Sequence, residues 1–136
     1  MQSWARERFA AAPVARLATV TAAGRPHLVP VAFVLVGDTV WTAVDQKPKT
    51  TRSLHRLANI EAHPRVSLLA DHYDDDWSRL WWVRADGHAS VVELAGTDAT
   101  AALSSLVAKY PQYRADPPTG PLIRIAVDTW RSWSAG

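Results

Sequence analysis

Thr39-Val40-Trp41-Thr42-Ala43-Val44 is an apolar run that reads as a strand. A little further on comes Lys47-Pro48-Lys49-Thr50-Thr51-Arg52-Ser53-Leu54. Leu54, Leu57 and Ala58 recur at helical spacing, so the basic segment lies at a strand-to-helix junction. Thr50 or Thr51 fits the N-cap, and Pro48 stiffens the entry. The free N–H groups and positive dipole end of the helix would then sit beside Lys47, Lys49 and Arg52, which together suit a phosphate or a carboxylate. The same residues also fit a solvated basic loop in front of an ordinary helix.

Working outward, the pattern is a run of short strands with a few helices. Residues 3–12 predict an amphipathic helix capped by Ser3 and ended by Pro13. Residues 14–21 are rich in β-branched side chains and read as a strand, 22–25 as a turn, and 26–36 as a long apolar strand interrupted by Pro30. A proline there marks an edge, a bulge or a place where something meets the backbone. Gly37-Asp38 turns the chain into the strand at 39–44, and the helix after the basic segment runs to about residue 60. Strands follow at 66–72 and 79–85, separated by the acidic loop Tyr73-Asp74-Asp75-Asp76. Asp86-Gly87 makes a turn or bulge before 88–94. Thr97 or Asp98 caps a helix ending at Lys109 or Tyr110, residues 116–121 form a rigid proline loop, and 122–128 is the last strand. With no repeat and no linker, the expectation is one mainly β domain over residues 1–136. Its fold would be a closed or nearly closed antiparallel barrel of about six strands with peripheral helices.

The composition excludes several classes. The 136 residues carry 48% apolar and 21% charged side chains, as globular soluble domains do. No apolar run reaches the ~18 residues a membrane span needs, and the polar start has no signal-peptide core. The expected setting is therefore the cytoplasm, away from membranes. The absence of cysteine removes disulfides, thiolate metal sites and cysteine nucleophiles. A net charge of +2 gives no reason to expect nucleic acid. Two of the three lysines lie in the basic segment, which draws attention to it.

The five histidines are scattered, with no H-E-x-x-H pattern, so no metal site is expected. The three aspartates at 74–76 lack the spacing and glycine of a calcium loop. No G-x-S-x-G elbow, G-x-G-x-x-G fingerprint or Walker loop occurs. The catalytic residues stay unassigned, and a bound cofactor is the natural source of any chemistry. Trp77, Trp81 and Trp82 form a dense aromatic patch. In a strand, Leu80, Trp82 and Arg84 share one face while Arg79, Trp81 and Val83 share the other, so one face packs inside and the other meets a partner or a ligand.

Residues 47–89, KPKTTRSLHRLANIEAHPRVSLLADHYDDDWSRLWWVRADGHA, resemble the pyridoxamine-phosphate-oxidase-like split β-barrel proteins. They look most like the actinobacterial branch of probable coenzyme F420-dependent oxidoreductases. Residues 14–35, VARLATVTAAGRPHLVPVAFVL, are similar to the first hairpin of that branch. The resemblance implies a split β-barrel that forms a homodimer with two cofactor sites at its interface. By that resemblance His27, Val29, Pro30 and Val31 edge a flavin or deazaflavin ring, and Ala43 and Val44 end the strand beneath it. Lys47, Lys49, Thr50, Thr51 and Arg52 would hold the phosphate, while Trp77, Ser78 and Trp82 come from the facing subunit. Relatives often carry a second basic residue where Thr50 or Thr51 stands here, which implies a weaker grip on phosphate. Arg56 lies one turn after Arg52 on the same helix face and extends positive charge toward the longer anionic tail of the deazaflavin; it equally fits a solvent-facing helix residue.

Two function classes follow. One is a deazaflavin-dependent oxidoreductase that moves a hydride between coenzyme F420 and a small unsaturated or quinone-like substrate. The other is a module that binds or stores flavin mononucleotide (FMN) or a haem-like ligand without turnover.

Overall fold

The computed structural model describes residues 1–44 and 51–136, and of residues 51–54 the backbone alone. The described elements are α1 (Ser3–Ala11), β1 (Ala15–Val20), β2 (Pro26–Val31), β3 (Val34–Val36), β4 (Thr39–Ala43), α2 (Thr51–Ala62), β5 (Arg65–His72), a 3-10 turn (Trp77–Arg79), β6 (Trp81–Val92), α3 (Thr97–Lys109), α4 (Pro111–Ala115) and β7 (Leu122–Ser134). All strands belong to one antiparallel sheet in the order β2-β1-β5-β6-β7-β4-β3. The sheet curls into a half-barrel with helices at its periphery.

The two edge strands are neighbours in sequence. The apolar run 26–36 pairs with β1 through its first half and with β4 through its second, so one bent segment supplies both edges. The strand count is therefore seven rather than six. Residues 26–36 break into β2 and β3 at Ala32-Phe33, and the strands expected at 79–85 and 88–94 are one long strand, β6. Pro30 lies on an edge strand, where its missing N–H costs no ladder bond.

The join within β6 is a bulge. Asp86 pairs with Thr129 and Gly87 with Val127, leaving Asp128 unmatched. A Cβ on Gly87 would overlap the Ala126 carbonyl, so the close approach of β7 requires glycine. Beyond the bulge β7 runs on to Ser134, past the expected end at 128, because β6 offers it a full-length partner.

The inside of the half-barrel is filled from every side. Leu17, Leu68, Val83, Ala85, Ile123 and Ile125 project from the sheet, and Phe9 and Ile60 enter from α1 and α2. Phe9 packs against Phe33 at 5.0 Å and edge-on to Trp130 at 5.1 Å. A second apolar cluster lies outside, where Ala99, Ala102 and Leu106 of α3 cover Val34, Trp41, Ala43 and Leu122. Strand β4 is thus covered on both faces, which explains why 39–44 is apolar without alternation.

Two expectations about helix caps change, and one helix is added. The cap of α1 is Gln2, without a side-chain cap bond to the helix backbone, and Ser3 is already helical. The cap of α3 is Gly96 at φ 86°, and neither Thr97 nor Asp98 serves. A further short helix, α4, begins at Pro111, directly after α3, where proline's fixed φ suits the first helical position. At the start of β6, Arg79 belongs to the 3-10 turn, where the Asp76 carboxylate accepts from Ser78 N–H.

Candidate functional site

Strand β4 ends at Ala43, and Val44 continues it to the limit of the described residues. Beside this end, β2 reaches its break with β3. The two strand ends form the floor of a cleft of about 720 Å³, made of Pro30, Val31, Ala32, Thr42, Ala43 and Val44. Thr42 fixes the floor from within by donating its hydroxyl to Ala32 O at 2.7 Å. Arg56, on α2, supplies a cation at one side. The opposite wall comes from α4 and the proline loop: Gln112, Tyr113, Asp116, Pro117, Pro118 and Thr119. The cleft therefore offers an apolar floor at an open strand edge, a cationic flank and a polar far wall. Such an arrangement can take a flat, partly apolar group against backbone with an anionic group toward Arg56.

Five of the residues expected at a cofactor line this one cleft: Pro30, Val31, Ala43, Val44 and Arg56. His27 and Val29 lie further back along β2. Alternation puts them on the face of Val31, while Leu28 and Pro30 take the other. Val29 packs on the barrel core, and His27 has a buried Nδ1 with no hydrogen-bond partner among the described residues. Lys47, Lys49 and Thr50 lie outside the described residues. Thr51 opens α2, and the side chains of Thr51 and Arg52 are likewise outside the description.

Trp77, Ser78 and Trp82 do not line this cleft within one chain. Trp77 is 71% exposed on the 3-10 turn. Ser78 is bound to Asp76 through both its N–H (3.1 Å) and its hydroxyl (2.6 Å). Trp82 lies on the outer sheet face in a second concavity of about 640 Å³ that also includes Leu28, Leu69, Tyr73, Arg84 and Trp133. Its neighbour Trp81 packs inward on the core beside Val83, whereas Leu80, expected on the face of Trp82, is buried because it precedes the strand at the end of the 3-10 turn.

Outside the cleft, two carboxylates sit in hydrogen-bonded networks. In the acidic loop, Asp74 bonds His72 at 2.6 Å and accepts from Asp76 N–H, with Arg79 3.7 Å away. The His72 bond, with smaller help from Asp76 N–H and Arg79, keeps the Asp74 carboxyl below the usual range against a modest opposing effect of burial. At the bulge, burial pushes Asp86 up, but the Ser67 hydroxyl at 2.6 Å and the Arg84 guanidinium at 3.0 Å outweigh it and lower the carboxyl.

The far wall of the cleft is what sequence reading missed. Residues 116–121 read only as a rigid loop, and α4 was not expected. The signal was present in Pro111 directly after a helix end and in the Tyr110, Tyr113 spacing that stacks the two rings edge-on at 5.6 Å.

Comparison with known proteins agrees with this architecture. No curated protein matches the chain. The conserved hypothetical protein Rv2991 from Mycobacterium tuberculosis is similar in structure, with a TM-score of 0.78, 22% identity, and coverage of 99% of this chain and 86% of that one. HutZ, the haem storage protein from Vibrio cholerae, aligns with a TM-score of 0.71 at 18% identity over 96% of this chain and 89% of its own. A FAD-binding protein from Mesorhizobium loti aligns with a TM-score of 0.69 at 17% identity over 97% and 92%. At these identities the likeness speaks for the fold. The family described as pyridoxamine 5'-phosphate oxidase matches residues 1–134, and the chain belongs to that family.

Proposed function

We propose that the protein is a coenzyme F420-dependent oxidoreductase. The observation that carries this reading is the cleft at the ends of β2 and β4, where Pro30, Val31, Ala43 and Val44 floor a site flanked by Arg56. Its residues fit a deazaflavin: apolar floor for the ring, open strand edge for ring hydrogen bonds, cation toward the anionic end. Lys47, Lys49, Thr50, Thr51 and Arg52 follow directly in the chain and would hold the phosphate at the start of α2. When bound, the cofactor supplies the hydride chemistry. The chain's own part is to orient the ring, neutralise its phosphate and shape the space for a small unsaturated or quinone-like substrate. The open outer face around Trp82 and Trp133 supports a homodimer, in which Trp77, Ser78 and Trp82 would complete the partner's site. We assign the protein to the cytoplasm, with no nucleic-acid or membrane partner.

A second reading, a flavin or haem-type binding and storage protein without turnover, is favoured by the fold likeness to a haem storage protein and a FAD-binding protein. FMN is then the alternative cofactor. Titration of the purified protein with the deazaflavin and with FMN, followed by fluorescence, separates the readings. A tightly held flavin would also leave the protein yellow.

A further inference from the structure

The two walls of the cleft are joined at one point, and two side chains make the join. The break between β2 and β3 leaves the N–H and C=O of Phe33 outside the sheet ladder. The Tyr110 hydroxyl accepts from Phe33 N–H at 2.9 Å, and its own proton is shared between the carbonyls of Phe33 and Pro13, each at 3.0 Å. Lys109 donates its Nζ to Phe33 O at 2.9 Å and lies 3.9 Å from the Phe33 ring centroid. Both residues end α3, immediately before Pro111 opens α4. One side of this join thus carries Ala32 of the cleft floor, and the other carries Gln112 and Tyr113 of the far wall.

We propose that Lys109 and Tyr110 are positioning residues for the cleft, a latch that fixes the gap between its floor and its far wall. The inference rests on the reading of the cleft as the ligand site, and it adds what regulates that site.

The latch is sensitive to proton activity. The Phe33 and Tyr110 rings, 3.9 and 5.2 Å from Nζ, favour the cation, but burial pushes the Lys109 ammonium down to about 8, so relative to water the seat favours the neutral amine. Raising pH through this value therefore seats the latch. The other titratable groups around it do not change charge over this range. Tyr110 is held above the usual tyrosine range by burial, against which its hydrogen bond to Phe33 acts only partly, and it keeps its proton. The nearby Tyr113 contributes a smaller upward effect on Tyr110. Arg114 is engaged with the Val107 and Ala108 carbonyls at 3.2 and 2.8 Å. The strand break itself, Ala32-Phe33, brings no titratable side chain.

The test uses the full chain, wild type and three variants: Lys109→Arg, Lys109→Met and Tyr110→Phe. Carbon-13 methyl spectra of Ala32, Ala43 and Val44 are followed from about pH 7 to about pH 9 together with the Lys109 Cε signal. FMN and the deazaflavin are titrated in parallel. The expected result is that the cleft methyls move with the Lys109 midpoint in wild type and stay still in Lys109→Arg and Lys109→Met, and that wild-type affinity rises over the same range. Tyr110→Phe should weaken binding roughly three- to tenfold, the loss of one neutral hydrogen bond. Cleft methyls that ignore the titration of Lys109 would overturn the latch, as would variants that bind both probes like wild type. If neither probe binds wild type at any pH, the ligand reading fails, and the methyl titration alone decides the latch.

Discussion

Gly87 and Asp86 are adjacent residues with opposite reasons for being there. Gly87 has no side chain because the Ala126 carbonyl occupies the space where a Cβ would stand. Gly87→Ala must push β7 away at the bulge, and overpacking of this kind costs about 1–3 kcal/mol, read as a lower denaturant midpoint with an unchanged fold. Asp86 is held by Ser67 and Arg84, so its carboxyl is lowered in the folded chain despite the opposing effect of burial. A lowered carboxyl contributes stability that is present above its unfolded value, about 3.9, and lost as pH falls through the folded one. The stability difference between wild type and Asp86→Asn should therefore shrink as pH drops below about 4, as urea titrations at several pH values would record. A difference that stays constant would mean that the carboxylate charge contributes nothing.

At the scale of elements, helix α1 is held to the barrel chiefly through Phe9, whose ring is fully buried against Phe33 and Trp130. Phe9→Ala should cost about 3–5 kcal/mol and expose Trp130, visible as a lower melting temperature and red-shifted tryptophan emission. The elements themselves were largely legible, because apolar runs and Gly-Asp turns leave local marks. The strand at 39–44 could be read, and Asp86-Gly87 could be read as a turn or a bulge without deciding between them. The split of 26–36 could not, because which half pairs with β1 and which with β4 depends on distant partners. The fusion of 79–85 with 88–94 was hidden for the same reason, since a bulge and a turn share the Asp-Gly signature. Of the site, the floor residues Pro30, Val31, Ala43 and Val44 were reached through family likeness. The wall from Gln112 to Thr119 was not, since its residues come to the cleft only once α3 has carried them across the strand break.

At the scale of the molecule, the outer sheet face leaves Leu28 66% and Trp133 46% exposed beside Trp82. Apolar surface of this extent on a small domain calls for a partner, and a second copy is the expected one. Light scattering should return a dimer, and a mass of 14.9 kDa across working concentrations would contradict it and remove Trp77 from the partner's site. The central claim is the deazaflavin cofactor. FMN and the deazaflavin share a phosphate, so the residues at the start of α2 do not choose between them. In the proposed reading Arg56, at the flank of the cleft, would add charge for the longer anionic tail of the deazaflavin. The most direct measurement is a fluorescence titration of both cofactors over a range of salt concentrations. The deazaflavin should bind more tightly, with the gap narrowing as salt rises, since charges reached by solvent are screened over about 8–10 Å at ordinary ionic strength. Tighter binding of FMN at every salt concentration would contradict it.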